Sequence, residues 1–154
     1  VHAQTESQTQ ALKKTHVEQA EQAETTQIVC VIEDDEVTRE MFRILLEDAG
    51  YCVREAADGL AGYALLRDAP ERLVALVDHK LPAMDGCDLL ELIAADEHMR
   101  VWHAFIFVTA SPQRAEQDCG ETLDELDTPI VEKPFDIDTV LDAVAAAIAR
   151  MAAA

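Results

Sequence analysis

Four apolar runs in this sequence each end in polar residues, and the four endings together suit phosphoryl transfer. Ile28-Val29-Cys30-Val31-Ile32 runs into Glu33-Asp34-Asp35, and Leu73 to Val77 runs into Asp78. Ala104 to Val108 runs into Thr109, and Pro129-Ile130-Val131 into Glu132-Lys133-Pro134-Phe135. Clustered carboxylates repel one another and call for a cation, and an all-oxygen ligand set favours Mg2+ over a transition metal. A carboxylate beside that ion can attack phosphorus to give an aspartyl phosphate. A lysine and a hydroxyl would then stabilise charge on the transferred oxygens. Each signal alone is ordinary. Asp35 reads equally well as a helix cap, a strand-end Asp is more often structural than reactive, and Lys-Pro is usually a turn. Four such endings on successive strands weigh against coincidence.

The elements that must position these groups follow from periodicity. Continuous apolar runs suit strands buried on both faces. Between them lie helical patterns: Val37, Met41, Ile44 and Leu45 before Gly50; Leu60 to Asp68 before Pro70; and Leu89, Leu90, Leu92 and Ile93. Tyr51-Cys52-Val53 reads as a second strand and Ala57-Asp58-Gly59 as a turn. Ser111 to Thr128 is a poor helix, with Gly120 inside it. The last helix is the clearest, capped by Asp136, with Ile137, Val140, Leu141, Val144 and Ile148 in one stripe. Five βα units predict a doubly wound α/β domain with a parallel sheet. Such sheets bind ligands beyond the carboxyl ends of their strands, where all four polar groups fall.

Composition narrows the partners. The 154 residues carry a formal charge of −19, with 49% hydrophobic residues. That charge repels phosphate backbones and anionic membrane faces, so neither nucleic acid nor membrane is an expected partner. No apolar run reaches the ~18 residues of a membrane span, and no signal peptide opens the chain. A cytoplasmic location is expected. Residues 1–27, rich in Gln, Glu, Thr and Ala, read as a polar tail, flexible or partly helical. Residues 28–154 read as the folded domain. Cys30, Cys52, Cys87 and Cys119 show no CxxC pair or zinc spacing, so they read as small buried hydrophobes in a reducing compartment. His79 reads as an exposed loop side chain, and His98 and His103 lack ligand companions.

Over residues 28–150 the sequence resembles the receiver domains of two-component signalling. The most specific stretch is Asp78-His79-Lys80-Leu81-Pro82-Ala83-Met84-Asp85-Gly86, similar to the phosphoacceptor motif. Glu33-Asp34, Val108-Thr109-Ala110 and Lys133-Pro134-Phe135 match the other signatures. The resemblance implies a flavodoxin-like five-stranded sheet of order 2-1-3-4-5. It implies that Asp78 accepts a phosphoryl group from a histidine kinase or histidine phosphotransfer protein. Mg2+ would sit on Asp34, Asp78 and the main-chain carbonyl of Lys80, with Glu33 acting through water. Lys133 would pair with Asp78 and then the phosphoryl group, and Thr109 would swing toward it. The Lys133-Pro134 bond would be cis. Signalling would pass through protein contacts, with room for a homodimer and no turnover of an external substrate.

Two departures stand out. Ile130 lies where the family usually places an aromatic switch, and the weak 111–128 segment lies where it has its fourth helix. Lys80 is placed to shield the phosphoryl group or to orient water. A haloacid-dehalogenase-type phosphatase is a rival, but its acid/base Asp is replaced here by Lys80. A phosphorylation-independent interaction module of the same fold is the other. No output domain follows the last helix, which fits a stand-alone receiver or a piece of a hybrid kinase.

Overall fold

The strands are β1 (Ile28–Ile32), β2 (Cys52–Ala56), β3 (Leu73–Asp78), β4 (Ala104–Thr109) and β5 (Ile130–Glu132). All pair in parallel, in the order β2-β1-β3-β4-β5. The computed structural model describes residues 26–153; apart from Thr26 and Gln27, the polar tail read over 1–27 lies outside the described residues. The helices are α1 (Glu36–Asp48), α2 (Gly59–Asp68), α3 (Gly86–Ala94), α4 (Glu97–Trp102), α5 (Pro112–Glu125) and α6 (Ile137–Ala153).

Why the central strands read as unbroken apolar runs is visible in their burial. Every residue of β3 and β4 is buried, because helices cover both faces of the sheet. On one face Leu66, Leu89, Leu90, Ile93, Ala115 and Leu123 of α2, α3 and α5 pack on Ile32, Val77 and Phe107. On the other, Phe42 and Leu46 of α1 and Val140, Val144 and Ala147 of α6 pack on Val31, Leu76 and Ile106. The order reverses between β1 and β3, so the crevice of a doubly wound sheet opens above these two strands.

Register then lines up the polar endings. Ile32 pairs with Val77, Asp78 with Val108, and Thr109 with Glu132. Glu33, Asp78, Thr109 and Lys133 therefore stand in step at one edge. Asp35, Asp58, Asp85, Asp96 and Ser111 each cap the helix that follows by accepting a backbone amide. Gly86 lets α3 start against the site: a Cβ there would collide with the Asp78 carbonyl and stand 2.8 Å from the Phe107 ring.

The structure differs from the sequence reading in four places. β2 runs from Cys52 to Ala56, an edge strand whose Arg54 and Glu55 hide its period. The short α4 went unread because it buries only Met99. The Asp136 side chain makes no cap bond among the described residues; only its carbonyl accepts, from the Val140 amide. The 111–128 segment does form a helix, α5, broken by non-helical angles at Cys119 (φ −153°, ψ 31°). The weak periodicity there reflects that break.

Candidate functional site

Each candidate side chain stands at the last residue of a strand or within two residues beyond it. Asp78 closes β3 and is 6% exposed, while Glu33 follows β1 and is 3% exposed. Asp34 is exposed beside it. The Lys133 ammonium reaches back from the end of β5, donating to Asp78 Oδ1 at 2.7 Å and lying 3.6 Å from Glu33 Oε1. The Lys133 amide donates to the Thr109 carbonyl, and the Lys133-Pro134 bond is cis, as the resemblance implies. Arg39 of α1 donates to the Glu33 carbonyl at 2.9 Å, which steadies the acidic turn. Lys80 is exposed in the bend after β3.

Thr109 is buried, and its hydroxyl oxygen accepts the Ser111 amide at 3.1 Å. The same oxygen lies 2.9 Å from His79 Nδ1, and the other ring nitrogen lies 3.2 Å from Asp118 Oδ2 on α5. This corrects the reading of His79 as an exposed loop residue. It is 2% exposed, because the His79 amide donates to the Val108 carbonyl and holds the residue in sheet-like register. Asp118 was not singled out in the sequence, where a polar helix position 39 residues away gives no signal. The cysteines are corrected too. Only Cys30 fits the buried-thiol reading in full, its thiol pushed up to about 12 by burial. Cys52 is exposed, and Cys87 and Cys119 form a disulfide between α3 and α5. His98 stacks on Trp102, and His103 bridges the Leu73 amide and the Leu66 carbonyl.

The response regulator receiver domain matches residues 29–145. The chain belongs to this family. Among curated relatives, the receiver is 32% identical over 122 residues to the DNA-binding dual master transcriptional regulator RpaA of Synechocystis sp., covering 79% of this chain and 49% of that protein. It is 32% identical over 75 residues to the polar-differentiation response regulator DivK of Brucella ovis, covering 49% of this chain and 60% of DivK. The chain spans about half the length of the curated relatives it matches. In fold it is similar to the receiver domain of sensor histidine kinase PA1611 of Pseudomonas aeruginosa PAO1, a structure with magnesium coordinated in its active-site cleft. That match has TM-score 0.71 and 23% identity, covering 81% of this chain and 99% of the other. A sensor protein from Polaromonas sp. JS666 matches with TM-score 0.72 and 22% identity, covering 81% and 98%. Among the described residues no helix is long and apolar enough to cross a membrane.

The donor set of this receiver fits Mg2+. Glu33, Asp34 and Asp78 each offer a carboxylate oxygen within 4.8 Å of the others. Glu33 Oε2 is buried without a hydrogen-bond partner, an uncompensated acceptor of the kind a hydrated cation satisfies. Burial first, and then the Asp78 carboxylate, push the Glu33 carboxyl up from 4.5 to about 8, against the pull of Lys133. Burial lowers the Lys133 pKa, but the bond to Asp78 and the charges of Asp78 and Glu33 outweigh it and hold the ammonium above its usual value.

A stability prediction follows from Glu33. Its folded pKa lies above the unfolded one, so the folded state holds the proton longer. The stability that proton contributes is complete below about pH 4.5 and is lost as pH rises toward 8. In metal-free protein, Glu33→Gln should therefore raise the urea midpoint by more at pH 8 than at pH 4.5. The extra gain at pH 8 should be at least about 1–3 kcal/mol, because a buried unsatisfied charge costs more than the neutral amide that replaces it. An equal effect at both pH values would contradict it.

Proposed function

We propose that this receiver accepts a phosphoryl group on Asp78 from a phosphohistidine in a histidine kinase or histidine phosphotransfer protein. The observation that carries the reading is the bond of Lys133 to Asp78 inside a nest of carboxylates. Lys133 neutralises Asp78 in the resting state and stands ready to meet the phosphoryl oxygens as charge moves onto them. Asp34, Asp78 and the Lys80 main-chain carbonyl would hold Mg2+, with Glu33 reached through its water shell. The metal would supply charge neutralisation between the carboxylates and the incoming phosphoryl group. Glu33 and Asp34 are the wrong nucleophiles on this reading. Neither carries the direct lysine bond that orients Asp78.

The attacking atom is an Asp78 carboxylate oxygen, the bond broken is the donor's P–N bond, and the imidazole leaves. Lys80 stands two residues after Asp78, where a phosphatase of the rival class needs its acid/base Asp. Turnover of an external substrate is therefore not part of the proposal. The charge of −19 argues for protein partners over nucleic acid.

Signal transmission has a candidate route despite Ile130. For Thr109 to meet a phosphoryl oxygen, its hydroxyl must leave His79, and His79 is bonded to Asp118 on the broken helix α5. The pair His79–Asp118 would carry the change where the usual aromatic is missing.

Two outcomes are expected. Intact-mass analysis with acetyl phosphate should give a single phosphoryl adduct that needs Mg2+ and is absent in Asp78→Asn. An unmodified wild type that still binds Mg2+ would favour the phosphorylation-independent module. Hydrogen exchange in residues 112–125 should rise several-fold with phosphodonor, and that response should vanish in Asp118→Asn. An unaltered pattern in the phosphorylated wild type would exclude this route.

A further inference from the structure

His79, Cys87, Asp118 and Cys119 meet where α3 and α5 pack together over the end of β3, beside the acidic crevice. No zinc spacing joins them in the sequence; the fold brings them together. A ring nitrogen of His79, the Cys87 sulfur and an Asp118 carboxylate oxygen all lie within 4.8 Å of one another, and Nε2 is the nitrogen that faces Asp118, 3.2 Å from Oδ2. We infer that these three side chains form a second metal site, suited to a borderline cation such as Zn2+, which the Cys87–Cys119 disulfide closes and its reduction opens.

The chemistry of the donors separates this site from its neighbour. The crevice at Asp78 offers oxygen alone, whereas here nitrogen, sulfur and oxygen converge, a set that suits zinc over magnesium. His79 and Cys87 are 2% and 5% exposed, so two of the ligands are held by packing. The outer contacts orient the first ones as zinc ligands require. Arg114 Nε bonds Asp118 Oδ1 at 3.1 Å, leaving Oδ2 turned toward His79. Thr109 Oγ1 already accepts the Ser111 amide and can accept a second proton from His79 Nδ1 at 2.9 Å. A metal on Nε2 would fix the ring in that tautomer. Zinc bonds of about 2.0–2.3 Å place tetrahedral ligand atoms roughly 3.3–3.8 Å apart, so small adjustments within the 4.8 Å cluster would complete the shell. The break of α5 at Cys119 gives that end of the helix room to adjust.

The gate is a balanced exchange. A dithiol reductant gives two electrons and two protons to the Cys87–Cys119 bond, is itself oxidised to a disulfide, and leaves two thiols. Zn2+ then binds the Cys87 sulfur, and the thiol proton goes to solvent. The fourth coordination position is left to water. Occupancy does not depend on chemistry at Asp78. Only its consequence for Thr109, held by the metal-bound His79, rests on the phosphoacceptor reading.

The test uses the full chain at saturating Mg2+, titrated with Zn2+ against a chromophoric chelator, with folding checked by circular dichroism. Reduced wild type should take up one zinc and the oxidised form none. Cys87→Ala and His79→Ala should bind at least about tenfold more weakly, while Asp78→Asn should bind as wild type does. Cys119→Ser should bind zinc without any reductant, since it frees Cys87. A folded, reduced wild type without zinc would overturn the inference. So would zinc uptake that survives Cys87→Ala, or a folded Cys119→Ser that takes up none.

Discussion

The ion pair of Lys133 with Asp78 is the contact on which the rest of the site depends. Three carboxylates crowd the ends of β1 and β3, two of them almost fully buried, and like charges in that setting repel one another. Lys133 is the cation the chain itself supplies. It crosses from the end of β5 to reach β3, starting from a backbone whose amide is bonded to the Thr109 carbonyl. One ammonium does not saturate three carboxylates. The lone Glu33 oxygen marks the remaining deficit, and that deficit is what a divalent ion and a phosphoryl group would use together.

The parts that could be read from sequence are those with strong local signatures. β3 and β4 are apolar throughout because both faces are covered, so Asp78 and Thr109 stand out at their ends. The strand order came through the motif around Asp78-Leu81-Pro82-Gly86 and not through periodicity. β2 was placed short because Arg54 and Glu55 on an edge strand imitate a loop. What could not be read is whatever arises only when distant segments pack. His79 meets Asp118 only once α5 packs over the sheet, and Asp118 gains meaning only from His79. The pairing of Cys87 with Cys119, 32 residues apart, depends on how α3 meets α5.

That packing gives the receiver two chemically distinct corners on either side of β3. One is all oxygen and lysine, at the switch point of the sheet. The other joins imidazole, sulfur and a single carboxylate beneath α5. Thr109 is the side chain common to both neighbourhoods, since its hydroxyl is bonded to His79 while its strand end borders Asp78. A sheet this tightly packed gives Thr109 two discrete arrangements to choose between more readily than a continuum.

The central claim is that Asp78, and not its acidic neighbours, is the nucleophile. Reduction of the phosphorylated protein with borohydride converts an acyl phosphate to an alcohol, so peptide mass mapping identifies the residue that carried it. Homoserine is expected at position 78 alone. Conversion at Glu33, Asp34 or Asp85 instead would contradict it.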